Sequence, residues 1–287
     1  MNENKTAVLS ANLPVRIDII IKKNYPHLSR REIDMLCSSG RVLLSGKAVN
    51  KGRMLSAGEN ISVQLSETMR EARLKQGGNF KPEIIFMDKH FCCVNKPENM
   101  HTVPLSYDEN NALLNHLAGL ISLPCTLDSP LNSGTLNRLD YETSGLVLVA
   151  LNDQSYRDLR SQFSEMTVEK MYLARVHGRA PDYLCMDDEI REKKDNPRRA
   201  YSELFLLKKN LDYSLIALRL HTGVRHQLRI SLSRRNLFIS GDSKYGKNDQ
   251  TTHLFLHSWS LEFTHPAEKK RIILCAPLPA YWDFPAD

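Results

Sequence analysis

Residues 137–145 read Asn-Arg-Leu-Asp-Tyr-Glu-Thr-Ser-Gly and run without a break into Leu-Val-Leu-Val-Ala at 146–150. The apolar run has the length and composition of a buried strand. Asp140 therefore stands beside Arg138 in a turn-like segment just ahead of a rigid element, a placement in which functional groups concentrate. Taken alone, the pattern reads more simply as an Asp capping a turn. Around it, strand-like runs at 84–87, 91–94, 146–151, 170–176, 213–220 and 254–256 alternate with helix-like segments at 110–121, 153–165 and 225–234. This alternation predicts an α+β domain over 82–287, built on a mixed, largely antiparallel sheet.

A smaller module precedes it. Ile17, Ile20 and Ile21 have the spacing of one helix face. Ser29, with Glu32 three residues later, predicts a capped second helix that stops near Gly40. Short strands are expected at 42–44, at 48–49 after a Ser45-Gly46 turn, and at 61–65. The polar stretch 67–81, which contains Gly77-Gly78, has the composition of a linker.

The formal charge of +6 is unevenly placed. Residues 13–66 hold 9 Lys/Arg against 4 Asp/Glu, whereas 82–287 hold 25 against 26. A small basic module attached to a near-neutral domain suits a polyanionic partner, because cations on a phosphate backbone release condensed counterions. A solvated basic face accounts for the charge alone equally well.

The 287 residues and 41% hydrophobic content suffice for two domains with a real core in the larger. No run approaches the length of a membrane span, and the first residues lack the pattern of a secretory signal, so the expected location is the cytoplasm, with no membrane partner. Cys37, Cys92, Cys93, Cys125, Cys185 and Cys275 form no CxxC pair and read as reduced core thiols. His253 and His257 alone hint at a metal; in a strand-like run they lie on one face by period-2 geometry and could simply be packed, and no third ligand follows at short spacing, so no metal is expected.

The segment at 137–145 resembles the HRLDxxTSG motif of RluA-type pseudouridine synthases. Val94–Pro97 (VNKP), Lys170–Ala174 (KMYLA), Thr222–Arg229 (TGVRHQLR), Gly241–Gly246 (GDSKYG) and Leu256–Pro266 follow the order of that family's other landmarks, so the resemblance spans about 82–280. Asn137 replaces the usual His, and Val224 the first Arg of TGRxHQIR. Residues 13–66 resemble the αL RNA-binding module of a small-subunit ribosomal protein, through Arg16, Asp18, Ser29-Arg30, Gly40-Arg41-Val42, Gly46, Lys51, Gly58 and Ile61.

These resemblances imply the pseudouridine synthase fold behind a small α+β RNA-binding domain, and an isomerase of uridine in structured RNA that needs no cofactor. They imply Asp140 as the catalytic carboxylate, either a nucleophile or a base on the sugar, with Arg229 as its ion-pair partner and Tyr172 as the aromatic that stacks on the target base. Arg138 would enter the RNA beside the extruded nucleotide. Lys170 would anchor near the site and Leu228 line it, although core packing explains Leu228 equally well. Arg30, Arg31 and Arg41 would face RNA. Large-subunit ribosomal RNA is the favoured substrate, with transfer RNA second, and the protein is expected to be a monomer. The competing reading is an inactive RNA-binding or ribosome-assembly protein that keeps the fold. Asp140, Tyr172 and Arg229 together argue against it, since a pure binder has no need of that combination.

Overall fold

The computed structural model describes residues 5–123, 129–191 and 196–282; Cys125 lies outside them. The chain divides into two compact units: residues 1–76 with 104–110 and 129–131, and residues 77–103, 111–128 and 132–287. No helix among the described residues is long and apolar enough to cross a membrane.

The first unit runs β1 (Lys5–Ser10), β2 (Val15–Arg16), α1 (Ile17–Asn24), α2 (Arg30–Ser38), β3 (Val42–Leu44), β4 (Lys47–Ala48), β5 (Met54–Leu55), β6 (Asn60–Leu65) and α3 (Glu67–Glu71). Its main sheet has the order β1-β6-β3-β4, all antiparallel. Ser29 Oγ accepts from Glu32 N, and Glu32 Oε2 accepts from Ser29 N, so α2 begins on the capping box predicted for it. Ser45 and Gly46 both take positive φ between β3 and β4, as a two-residue hairpin turn requires. Ile17, Ile21, Ile33, Leu36, Val42, Ile61 and Val63 form the core, joined by Tyr107 from 104–110. Four elements differ from expectation, among them the two-residue strands β2 and β5. β1 is absent from the sequence pattern, because its exposed, mixed composition carries no clear alternation, and α3 lies within the stretch that has linker composition.

The second unit contains β7 (Glu83–Met87), β8 (Phe91–Lys96), α4 (Leu113–Ala118), β9 (Ser144–Ala150), α5 (Asp153–Ser164), β10 (Glu169–His177), β11 (Tyr183–Ile190), β12 (Arg198–Lys209), β13 (Tyr213–Leu220), α6 (Gln227–Ser233), β14 (Leu256–Thr264) and β15 (Arg271–Cys275). The sheet order is β11-β12-β13-β10-β14-β9-β8-β7, with β15 paired to β14. Every pairing is antiparallel except the short parallel contact of β14 with β9. Leu159 of α5 joins Leu146, Leu148, Leu261 and Phe263 in one buried cluster, each burial being worth about 1.5–3 kcal/mol.

The parallel contact dictates a residue. Gly145 has φ +112°, and a Cβ there would lie 2.3 Å from Ser258 O. Only glycine permits both the backbone and the approach, so the final residue of the opening motif fixes where β9 meets β14. His253 lies outside β14, which begins at Leu256; the expected shared strand face with His257 does not form, and the two rings go to different partners, His253 to Glu98 and His257 to Ser144.

Candidate active site

Asp140 sits in the turn ahead of β9, and that turn is held from several sides. Thr102 Oγ1 donates to Leu139 O (3.1 Å) and accepts from Leu139 N (3.0 Å). The Lys96 ammonium, fully buried, donates to Pro97 O, Met100 O and Tyr141 O at 2.7, 2.8 and 3.2 Å. Burial pushes the Lys96 ammonium down to about 7, while the charges of Asp140 and Glu98 pull it back up. Asn137, where the family pattern has His, accepts from Leu148 N at 2.8 Å and donates to Leu146 O at 3.0 Å. The departure is thus a structural one: the amide side chain completes the ladder beside β9.

Arg229, on α6, is the largest fully buried side chain among the described residues. Its Nε and Nη2 donate to Asp242 Oδ2 and Oδ1 at 2.8 and 2.7 Å, a bidentate fork. Its Nη1 lies 2.7 Å from Glu142 Oε2 without the alignment of a hydrogen bond, and 3.8 Å from Asp140 Oδ2. The expected pairing of Arg229 with Asp140 is therefore corrected in rank. Asp242 is the main partner, and Asp140 shares the remaining nitrogen with Glu142. Burial alone would lower the Arg229 guanidinium, but the bond and charge of Asp242, reinforced by Glu142 and Asp140, hold it above its ordinary value. Burial likewise works to raise the Asp242 carboxyl, yet Arg229 and the amides of Tyr245 and Lys244 keep it below the usual carboxylate range.

The rest of the site closes around Asp140. His226 precedes α6 with φ +56° and places Nε2 3.9 Å from Asp140 Oδ1. Burial lowers its imidazole, with the Asp140 charge opposing and that of Arg229 assisting. Tyr172 points from β10 beside a bulge in its pairing with β14 and is buried. Burial pushes its phenol up to about 12, the Ser258 hydroxyl opposes, and the nearby Asp140 charge adds to the rise. Tyr245 sets its ring 5.5 Å from both His226 and the Arg229 guanidinium. Gln227 braces the loop before α6, accepting from Thr222 Oγ1 and Val224 N and donating to Tyr201 O. Val224 is buried with Ile190, Ala200 and Ile230. The position that carries Arg in the family pattern faces inward here.

The other predicted residues fall in distinct places. Lys170 is buried on β10, with Nζ 3.4 Å from His221 O and its ammonium lowered by burial. Leu228 is buried in α6. Arg138 is exposed, with no hydrogen bond or ion pair among the described residues. In the first unit, Arg30 and Arg31 open α2, exposed and unpaired among the described residues. Arg41 is instead committed inward, donating to Gln64 O at 3.0 Å and Asp108 Oδ2 at 2.9 Å; its donors are engaged by the protein. The motif reading leaves Asp242 and Glu142 without roles. Their signal is present in the sequence as an Asp between glycines at 241–246 and a second carboxylate two residues after Asp140.

The site thus brings together the Asp140 carboxylate, a buried guanidinium 3.8 Å from it and the buried ring of Tyr172. Residues 90–234 match the RNA pseudouridylate synthase family. The chain belongs to that family, and is an RNA pseudouridine synthase, an isomerase. It is 29% identical to an uncharacterized RNA pseudouridine synthase of Bacillus subtilis, covering 92% of this chain and 90% of the relative. It is 28% identical to the ribosomal large subunit pseudouridine synthase C of Buchnera aphidicola, again over 92% and 90%. The solved structure of human RNA pseudouridylate synthase domain containing 1 shares the fold, with a TM-score of 0.54 and 22% identity over 72% of this chain and 87% of that one.

Proposed function

We propose that the protein isomerises uridine in large-subunit ribosomal RNA, with Asp140 as the catalytic residue. The reaction breaks the bond from N1 to the sugar C1′ and joins C1′ to C5 of the same ring; N1 gains a proton and C5 loses one, so atoms and electrons balance without a cofactor. Asp140 acts at the sugar, by attack at C1′ or by taking the C2′ proton, and either role requires the carboxylate. The observation that carries this is the position of Asp140: half-exposed, on a turn fixed by Lys96 and Thr102, 3.8 Å from a buried guanidinium that Asp242 holds still. Such preorganisation lets a charge act without reorganisation when the sugar becomes cationic.

Tyr172 stacks on the extruded uracil, Arg138 occupies the RNA where the nucleotide left, and extrusion costs a few kcal/mol. Lys170 and Leu228 line the pocket behind the base. Arg30 and Arg31 contact phosphates as part of a ribosomal-protein-like RNA-binding module. The large-subunit substrate is supported by the Buchnera relative, whose match covers 92% of this chain. The test is a pseudouridine map of total RNA with and without the gene. Loss at a large-subunit position, restored by the wild-type gene but not by Asp140→Asn, is expected. Loss confined to transfer RNA would overturn the substrate, and restoration by Asp140→Asn would overturn the catalytic assignment.

A further inference from the structure

Within the second unit, the segment 132–138 and α5 border a cavity of about 300 Å³, lined by Asn132, Thr135, Leu136, Arg138, Tyr156 and Arg160. Two guanidinium groups face it and, among the described residues, no carboxylate does. Both arginines are exposed, and neither has an ion pair or hydrogen bond among the described residues. Arg199, Arg219, Arg235 and Arg271 each meet an Asp or Glu; Arg157, Arg179 and Arg198 are also unpaired among the described residues, but only Arg138 and Arg160 line the cavity.

The layout follows from helix periodicity. Ser155 and Leu159 are the buried positions of α5. Tyr156 and Arg160, one turn apart, share the flank that meets 132–138. Asp158 is turned the other way, accepting from Gln162 Nε2 and pairing with Lys269 Nζ. Of the two cations and two carboxylates on α5, only Arg160 lines the cavity; Arg157, Asp153 and Asp158 do not. Arg138 stands two residues before Asp140, so the cavity borders the catalytic turn.

We propose that this cavity is a binding site for a phosphodiester of the RNA backbone beside the reacting nucleotide, with Arg160 as a cation contributed by α5 opposite Arg138. The proposal rests on the reading of Asp140 as the residue that meets that nucleotide. Guanidinium groups match phosphate in a planar, two-bond geometry, and contacts of this kind fix the register of the strand while reading no sequence. Holding the flanking phosphate stabilises the extruded strand, whose unstacking is unfavourable by a few kcal/mol.

The experiment uses the full chain and a large-subunit ribosomal RNA transcript, measuring binding and single-turnover rate across RNA concentration and salt. Arg160→Ala should raise the half-saturating RNA concentration about tenfold, and the slope of log affinity against log salt should fall by about 0.7 to 0.9, one phosphate's share. The effect should appear in half-saturation rather than in the rate at saturating RNA. Arg160→Lys should recover the salt slope but only part of the affinity. Arg179→Ala, an exposed arginine outside the cavity, removes the same charge elsewhere. Equal shifts in Arg160→Ala and Arg179→Ala, or no shift in Arg160→Ala, would overturn the site. Wild-type protein that binds the transcript without isomerising it would overturn the catalytic reading instead, leaving the binding comparison at Arg160 to stand or fall by itself.

Discussion

Helices α2 and α6 handle their arginines in opposite ways. α2 presents Arg30 and Arg31 on its first turn, exposed and unpaired among the described residues. α6 buries Arg229 to 1% side-chain exposure within reach of Asp242, Glu142 and Asp140. The difference separates two uses of one side chain. An exposed guanidinium keeps its hydration and gives reversible, salt-dependent affinity for phosphate. A buried one has given up that hydration and is tolerable only because carboxylates surround it, and in return its position is fixed. If Arg30 and Arg31 meet RNA and Arg229 serves Asp140, as proposed, affinity and chemistry fall to different physical states of arginine.

The largest expected effect lies on the buried side of this comparison. Asp140→Asn keeps the size and hydrogen bonding of the turn while removing the charge. Turnover in single-turnover assays should fall by at least about 10²–10⁴-fold, the range for removal of a positioned acid or base, with RNA affinity within a few fold. Near-normal turnover would move the chemistry to Glu142 or His226. The second effect concerns stability. Asp242→Ala strips Arg229 of its bidentate partner and leaves a buried cation, which should cost about 3–5 kcal/mol in denaturant unfolding. A cost under about 1 kcal/mol would mean that Glu142 and Asp140 neutralise Arg229 unaided.

The same contrast explains what could be read in advance. Elements with a strong local signal are legible: α2 from its capping box, β13 at 213–220, α5 within a residue of 153–165. β11 and β12 are not, because in Tyr183–Ile190 and Arg198–Lys209 a short apolar run covers only part of the strand and the rest is charged and largely exposed. At the site, motif order locates Asp140, Tyr172 and Arg229 in one unit of the structure. The network that holds Arg229 cannot be read so. Whether Asp242 or Asp140 receives its fork depends on where the 241–246 turn folds back, and that is a tertiary fact. The bonds of Arg41 could not be read for the same reason, since Asp108, its partner, is 67 residues away in the chain.

A third prediction uses pH to probe burial. His257 is fully buried, with Nδ1 2.8 Å from Ser144 Oγ, and burial pushes its imidazole down to about 4. A group lowered in the folded state contributes stability above its unfolded value, near 6.5, and loses it as pH falls toward the folded one. Stability should therefore drop by about 2 kcal/mol from this group between about pH 7 and pH 5. His257→Gln, which retains a hydrogen-bonding group for Ser144, should show a shallower decline over that window in denaturant titrations. Parallel curves for the two proteins would show that His257 charges in the folded state without cost.

The smallest effect is the most informative about α2, because it should change sign between two measurements. Arg30 and Arg31 occupy the first two positions of that helix, where the aligned peptide dipoles leave positive potential and cations are unfavourable. Glu32, in the capping box, is the residue that this end favours. A chain selected for stability alone would place acids where these arginines stand. Replacing both by Ala should therefore stabilise the protein by about 0.3–1 kcal/mol, read from the denaturant midpoint. The same variant should bind RNA more weakly, with its salt slope reduced by about 0.7 to 0.9 for each phosphate that is no longer neutralised. Opposite signs in the two measurements identify a helix end that gives up stability for a polyanion. A gain in stability with unchanged affinity and salt slope would show that the two arginines are solvated surface, and the RNA-binding groups of the first unit would then have to be sought among its other cations.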